Sequence, residues 1–120
     1  MQELLDQARA LGSAIAQHDR MTRFVEAEAA VRKDPEASRL LDEHRKHVDK
    51  VGELEKEGKP IEPADKQRLK ALQDSLSGSE PIKALIAAQA DYIEMMQEVY
   101  KAVQQPISER GAAHHAHEEK

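Results

Sequence analysis

Between Ile82 and Val103 the apolar residues return every three or four positions: Ile82, Leu85 or Ile86, then Ile93, Met96, Tyr100 and Val103, with Gln89 as a polar member of the series. That spacing places them on one stripe of an α-helix, whereas a strand would need alternation with period two. A second series, Leu41, His44, Val48, Val51 and Glu55, follows the same heptad, with Leu40 and Leu54 at its flanks. Two long amphipathic helices therefore dominate the chain, and the expected fold class is all-α.

The breaks between helices are written in proline, glycine and capping residues. A first helix is expected over about 2–17, with Leu4, Leu5, Ala8, Leu11 and Ile15 on one face, and a second over about 19–33, with Met21, Phe24, Ala27 and Val31. Whether a break near His18 separates the two is open at this level. Asp34-Pro35 starts a third helix, because Asp accepts from free first-turn amides and proline is tolerated at the first helical position. It runs to about Glu57, where Gly58 is placed to end it in a left-handed conformation. Lys59-Pro60-Ile61-Glu62-Pro63 is a stiff connector, and a fourth helix follows over about 63–76 with Leu69, Leu72 and Leu76 on one side. Ser77-Gly78-Ser79-Glu80-Pro81 is the next turn, with Ser79 or Glu80 as cap. The fifth helix is expected over about 81–104, closed by Pro106. The third and fifth segments have similar lengths, which suits an antiparallel hairpin of residues 35–57 with 81–104. Residues 1–106 then form one helical domain, and 107–120, ending in GAAHHAHEEK, a disordered histidine-containing tail.

Composition bears on how such helices are stabilised. Leu, Ile, Val and Phe number only 23 of 120 residues, with no Trp, while Ala, Glu, Lys, Leu and Arg number 61. The apolar seams are thus narrow, and a narrow seam buries little surface within one subunit. A second copy is expected to complete the core as a coiled-coil-like homo-oligomer. Eighteen basic residues against 23 acidic ones, a net of −5, is not the footprint of a general nucleic-acid binder or a binder of acidic membranes. There is no cysteine, so disulfides, thiolate metal sites and cysteine-ligated iron–sulfur clusters are excluded. The first residues carry acids and no long apolar run, unlike a secretory signal, and the least polar stretch, 84–90, is too short to span a bilayer. A cytoplasmic location is expected.

The ordered set Leu11-Gly12 and Ala14-Ile15, Phe24 and Ala27, Asp34-Pro35-Glu36-Ala37, Leu40-Leu41, Gly58-Lys59-Pro60-Ile61, Glu80-Pro81-Ile82, and Ala88-Gln89 with Tyr92 resembles the YlbF/YmcA family of small helical bacterial regulators. The resemblance covers about residues 2–105. It implies an all-α fold with a long helical hairpin, found as an oligomer, and a regulatory role. Better-understood members act together as an adaptor complex for ribonuclease Y, affecting mRNA processing, competence, sporulation and biofilm formation. Some members of that complex bind iron–sulfur clusters through cysteines, a property this cysteine-free chain does not inherit.

Few side-chain constellations suggest chemistry. His44 and His47 lie three apart on one helix and are candidate metal ligands. The competing placement puts His44 in the seam and His47 at its solvent edge. The Glu-x-x-His pattern of a di-iron bundle is missing, because Leu41 and His44 stand three before the two histidines. His114, His115 and His117 are candidate ligands in the tail, weighed against a plain polar tail. Asp91, Glu94 and Glu98 read as a solvated face, since acid–base work needs desolvated carboxylates. A basic strip of Arg20, Arg23, Arg32 and Lys33, extended by Arg39, Arg45, Lys46 and Lys50, is interleaved with acids and carries no aromatics for base stacking. No phosphate-binding loop, serine elbow or His-Glu-x-x-His motif is present.

The expectation is a non-enzymatic adaptor acting through protein–protein binding, with no cofactor and with other YlbF-like proteins or a ribonuclease as further partners. Its interface residues are Leu41, His44, Val48, Val51, Ile82, Ile86, Ile93, Met96 and Tyr100. The alternatives are a histidine-based metal- or small-ligand-binding bundle and a direct RNA binder.

Overall fold

The computed structural model describes residues 1–118, with side chains described as far as His114. Five helices make up the described chain: α1 (Gln2–Ala16), α2 (Asp19–Lys33), α3 (Pro35–Lys56), α4 (Pro63–Ser77) and α5 (Glu80–Glu118). The all-α class is as the periodicity requires. α1 and α2 are separate helices. Gln17 and His18 break the chain, and the His18 Nδ1 accepts from the Arg20 amide at 3.0 Å, capping α2.

The expected stop and start residues act as caps. Asp34 is extended, and its Oδ1 accepts from the Ala37 amide at 3.1 Å while Pro35 opens α3. Gly58 takes φ 71°. The Lys59 amide donates to the Leu54 carbonyl at 2.9 Å and the Gly58 amide to the Glu55 carbonyl at 3.1 Å. These paired bonds satisfy carbonyls that the end of α3 leaves free, and they need a left-handed residue between them. The Ser79 carbonyl accepts from Lys83 at the start of α5.

The pairing of helices differs from the simple hairpin of the third and fifth segments. α3 packs along α4, and α5 packs along α2. The cross-links run antiparallel in both pairs: Lys50 and His47 of α3 meet Asp65 at the start of α4, and Arg20 of α2 donates to the Asp91 carbonyl of α5. The fold is a hairpin whose two arms are each broken, α2–α3 against α4–α5. The short connector after Gly58 leaves α4 beside α3, because a few residues can join only neighbouring antiparallel helices.

The hydrophobic core sits where the two breaks meet. Val31, Ala37, Leu40, Leu76 and Ile82 form one buried cluster, with Leu41 and Leu85 packed against it. Leu72 is buried farther along α4, and Ala88 and Met95 farther along α5. α1 lies against α2 and buries none of its own residues.

The fifth helix also runs past its expected end. Pro106 lies inside it, and helix continues through residues 107–118, where the sequence reading places a disordered tail. Proline removes one backbone donor and crowds the carbonyl four residues back. Gln104, Gln105, Glu109 and Arg110 near it are good helix formers, and Gln105 Nε2 donates across it to Glu109 Oε1 at 3.2 Å. The molecule is elongated, 63 × 39 × 24 Å, with a radius of gyration of 21.2 Å. A compact chain of this length would have about 14 Å.

Candidate protein-binding surface

α5 carries two apolar faces roughly a quarter-turn apart. The inward one, Ile82, Leu85, Ala88, Tyr92, Met95 and Val99, faces the core and α2. Along it Ile82 is 0% exposed, and Tyr92 packs on Phe24 with ring centroids 5.2 Å apart. The second face is Ile86, Gln89, Ile93, Met96, Tyr100, Val103 and Ile107. Ile86 is 57% exposed, Ile93 46%, Tyr100 64% and Ile107 58%. Met96 is half-buried in an open groove lined by Tyr92, Ile93, Gln97, Tyr100 and Lys101.

The sequence series from Ile82 to Val103 blends these two faces. Ile82 belongs to the chain's own core and is not available to a partner, because it stands in the first turn of α5 against Val31, Ala37 and Leu40. Ile86, Ile93, Met96 and Tyr100 stand together on the outward face. Ile107 continues that face and was hidden by ending the helix at Pro106.

On α3 the expected interface residues fare differently. Leu41 packs on the core, His44 and Val51 are half-buried, and Val48 is exposed. A polar seam missed by the heptad reading joins α3 to α4. His47 Nε2 lies 2.7 Å from the Asp65 carbonyl, Lys50 donates to Asp65 at 3.0 Å, and Arg68 donates to Glu43 at 3.1 Å. Only a search for opposite charges across two antiparallel helices would have found it.

His47 is therefore engaged with α4 rather than aimed with His44 at a shared ion. Among the described residues no group of three or more His, Asp or Glu side chains is placed to hold a metal. The side chains of His115 and His117 lie outside the described residues, and His114 stands on the last turns of α5.

On α3 the basic strip is matched by acids. Arg39 donates to Glu36 and Glu43, and these bonds push its guanidinium further above its ordinary value, Glu36 contributing most. Lys46 and Arg45 both reach Asp42 and hold its carboxyl below the ordinary aspartate value, with Lys46 the larger cause. Such a surface is mixed in sign, unlike a continuous track for phosphates. No helix among the described residues is long and apolar enough to cross a membrane.

The exposed surface is large for the mass. The chain shows 9350 Å² to solvent, about 2,800 Å² more than the ~6,500 Å² of a compact monomer of 13.5 kDa. Contiguous apolar faces of this kind mark interaction sites.

Comparison with known proteins agrees with the geometry. The family model described as "Control of competence regulator ComK, YlbF/YmcA" matches residues 4–108. The UPF0342 protein DSY1594 of Desulfitobacterium hafniense (strain Y51) is 24% identical over 106 residues, covering 88% of this chain and 81% of that protein. The solved structure of a protein of unknown function (DUF964) from Bacillus stearothermophilus superposes with a TM-score of 0.74 at 22% identity, over 89% of this chain and 94% of the other. Bacillus subtilis RicA, solved in complex with RicF, gives 0.74 at 17% identity, over 90% and 96%. These two likenesses establish the helical fold.

Proposed function

This chain belongs to the YlbF/YmcA family, and from that premise we propose that it is a non-enzymatic regulatory adaptor of the bacterial cytoplasm. It assembles with a second copy of itself and docks on another protein. Through that partner it modulates ribonuclease-dependent mRNA processing.

One observation carries the reading: the outward face of α5, from Ile86 to Ile107, is a largely apolar heptad whose Ile86, Ile93, Tyr100, Val103 and Ile107 stay exposed. The solved complex of RicA with RicF supports a fold of this kind working through a protein partner. α1, with Leu4, Leu5 and Leu11 exposed, offers a second apolar surface for the docking step.

Light scattering after size exclusion tests assembly, with twice the 13.5 kDa chain mass expected. A stable monomer at micromolar concentration overturns it. Affinity purification from the native host tests docking, with one defined protein, a ribonuclease or an associated subunit, expected above background. Processed transcript levels that do not change on deletion of the gene overturn the link to mRNA processing.

A further inference from the structure

We infer that the second copy pairs along α5 in an antiparallel register that sets Gln89 of one chain against Tyr100 of the other. This rests on the self-association proposed above and specifies its geometry. The outward face reads Ile86, Gln89, Ile93, Met96, Tyr100 and Val103, an alternating three- and four-residue series of the kind that seats knobs into a facing helix.

The observations favour a second copy as the occupant. The surplus of about 2,800 Å² over a compact monomer covers what each chain of a stable homodimer surrenders, on the order of 1,000–2,500 Å². The net charge of −5 makes identical copies repel, yet Ala90, Gln97 and Gln104 along the open edge of this face are uncharged, and the charge that borders it, Lys101, falls opposite Ala88 of the other copy in this register. Like copies therefore meet without apposing like charges along that edge.

The register follows from the polar residues on the face. A two-fold axis between Glu94 and Met95 sets Ile93 against Met96 and Ile86 against Val103, and brings each Gln89 to a Tyr100 of the other copy. The amide and the phenol each both donate and accept, so a Gln89–Tyr100 pair satisfies itself once water is excluded. It occurs twice per dimer. Sliding by one heptad sets Gln89 against Ile107 and leaves two amides without partners. A single buried polar position is a known way of selecting one register. The antiparallel sense also lays the bare half of α5, Tyr100 and Val103, on the half that α2 backs in the other copy.

The absence of native cysteine makes the test direct. The variant Gln89→Cys/Tyr100→Cys is oxidised mildly, and the linked peptides are identified by mass spectrometry. Residues 89 and 100 are too far apart along one helix to join within a chain. The expected result is a covalent dimer linked 89 to 100, forming at least tenfold faster than in Gln89→Cys/Ile107→Cys. Links of 89 to 89 and 100 to 100 would mean a parallel pair and overturn the proposal. So would faster linkage in the control variant. All the substituted positions are exposed, and circular dichroism checks that the helices persist. The unmodified chain is sized in parallel. A dimer without the 89–100 link overturns the register alone, whereas a monomer overturns both the register and the self-association, leaving the face to a different protein.

Discussion

Phe24 on α2 and Tyr92 on α5 pack ring against ring, centroids 5.2 Å apart and planes tilted by 51°. The chain has one Phe, two Tyr and no Trp, so this pair concentrates much of the aromatic contact available between α2 and α5. Phe24 is half-buried, so Phe24→Ala is expected to cost about 2 kcal/mol in chemical denaturation, below the range for a fully buried Phe. A double-mutant cycle with Tyr92→Leu should show a coupling of about 0.5–1.5 kcal/mol. Additive effects would mean that the rings do not hold α2 to α5.

Ile82 and Ile86 are one helical turn apart and should behave oppositely. Ile82 is fully buried where both arms break, so Ile82→Ala should lower stability by about 3 kcal/mol. Ile86→Ala, measured at low protein concentration, should stay within about 0.5 kcal/mol, as exposed substitutions do. Equal losses would contradict the assignment of the two faces.

Asp34→Ala removes the side-chain acceptor for the Ala37 amide and should cost about 1 kcal/mol. Asp34→Asn keeps an acceptor and should recover most of that loss. Thermal melts of the three proteins side by side decide the point.

Pro106→Ala restores an amide donor to the interior of α5 and relieves crowding against the carbonyl of Ala102. Amide exchange at residues 107–110 should slow relative to the parent. Unchanged exchange at residues 107–110 would mean that proline does not weaken this part of the helix.

The acid limb carries one specific signature. The Asp42 carboxyl is held below its ordinary value by Lys46 first and by Arg45 second. A group depressed in the folded state contributes stability above its unfolded pKa, about 3.9, and that contribution is lost as pH falls through the folded value. Carboxyl NMR should show Asp42 titrating below ordinary aspartates, with Lys46→Gln moving it up more than Arg45→Gln. The equal effect of both variants would contradict the ordering. The pair is solvent-exposed, so the accompanying change in stability is small.

Much of the local structure was legible because its causes are local. Asp34-Pro35, Gly58 and the Ser79-Glu80-Pro81 turn act through their own backbones, and the helices begin and end there whatever packs around them. Pro106 was the exception. Its penalty is local too, but favourable helix formers on both sides and the Gln105–Glu109 bond span it. Of the candidate surface, spacing alone gives Ile86, Ile93, Met96 and Tyr100, whereas Ile82 turns into the core and Ile107 lies beyond the proline that spacing takes as a stop.

By itself, then, the amino-acid sequence determined an all-α chain, the stops and starts around Asp34, Gly58 and Ser79-Glu80-Pro81, and the narrowness of its apolar seams. Only the tertiary structure decided which helix meets which, and so which seam is left bare. Periodicity specifies a face but not its partner. On α5 two faces lie so close around the helix that a heptad count passes from one to the other between Ile82 and Ile86. What separates them is the packing of α2, through Phe24 and Val31, against one and not the other.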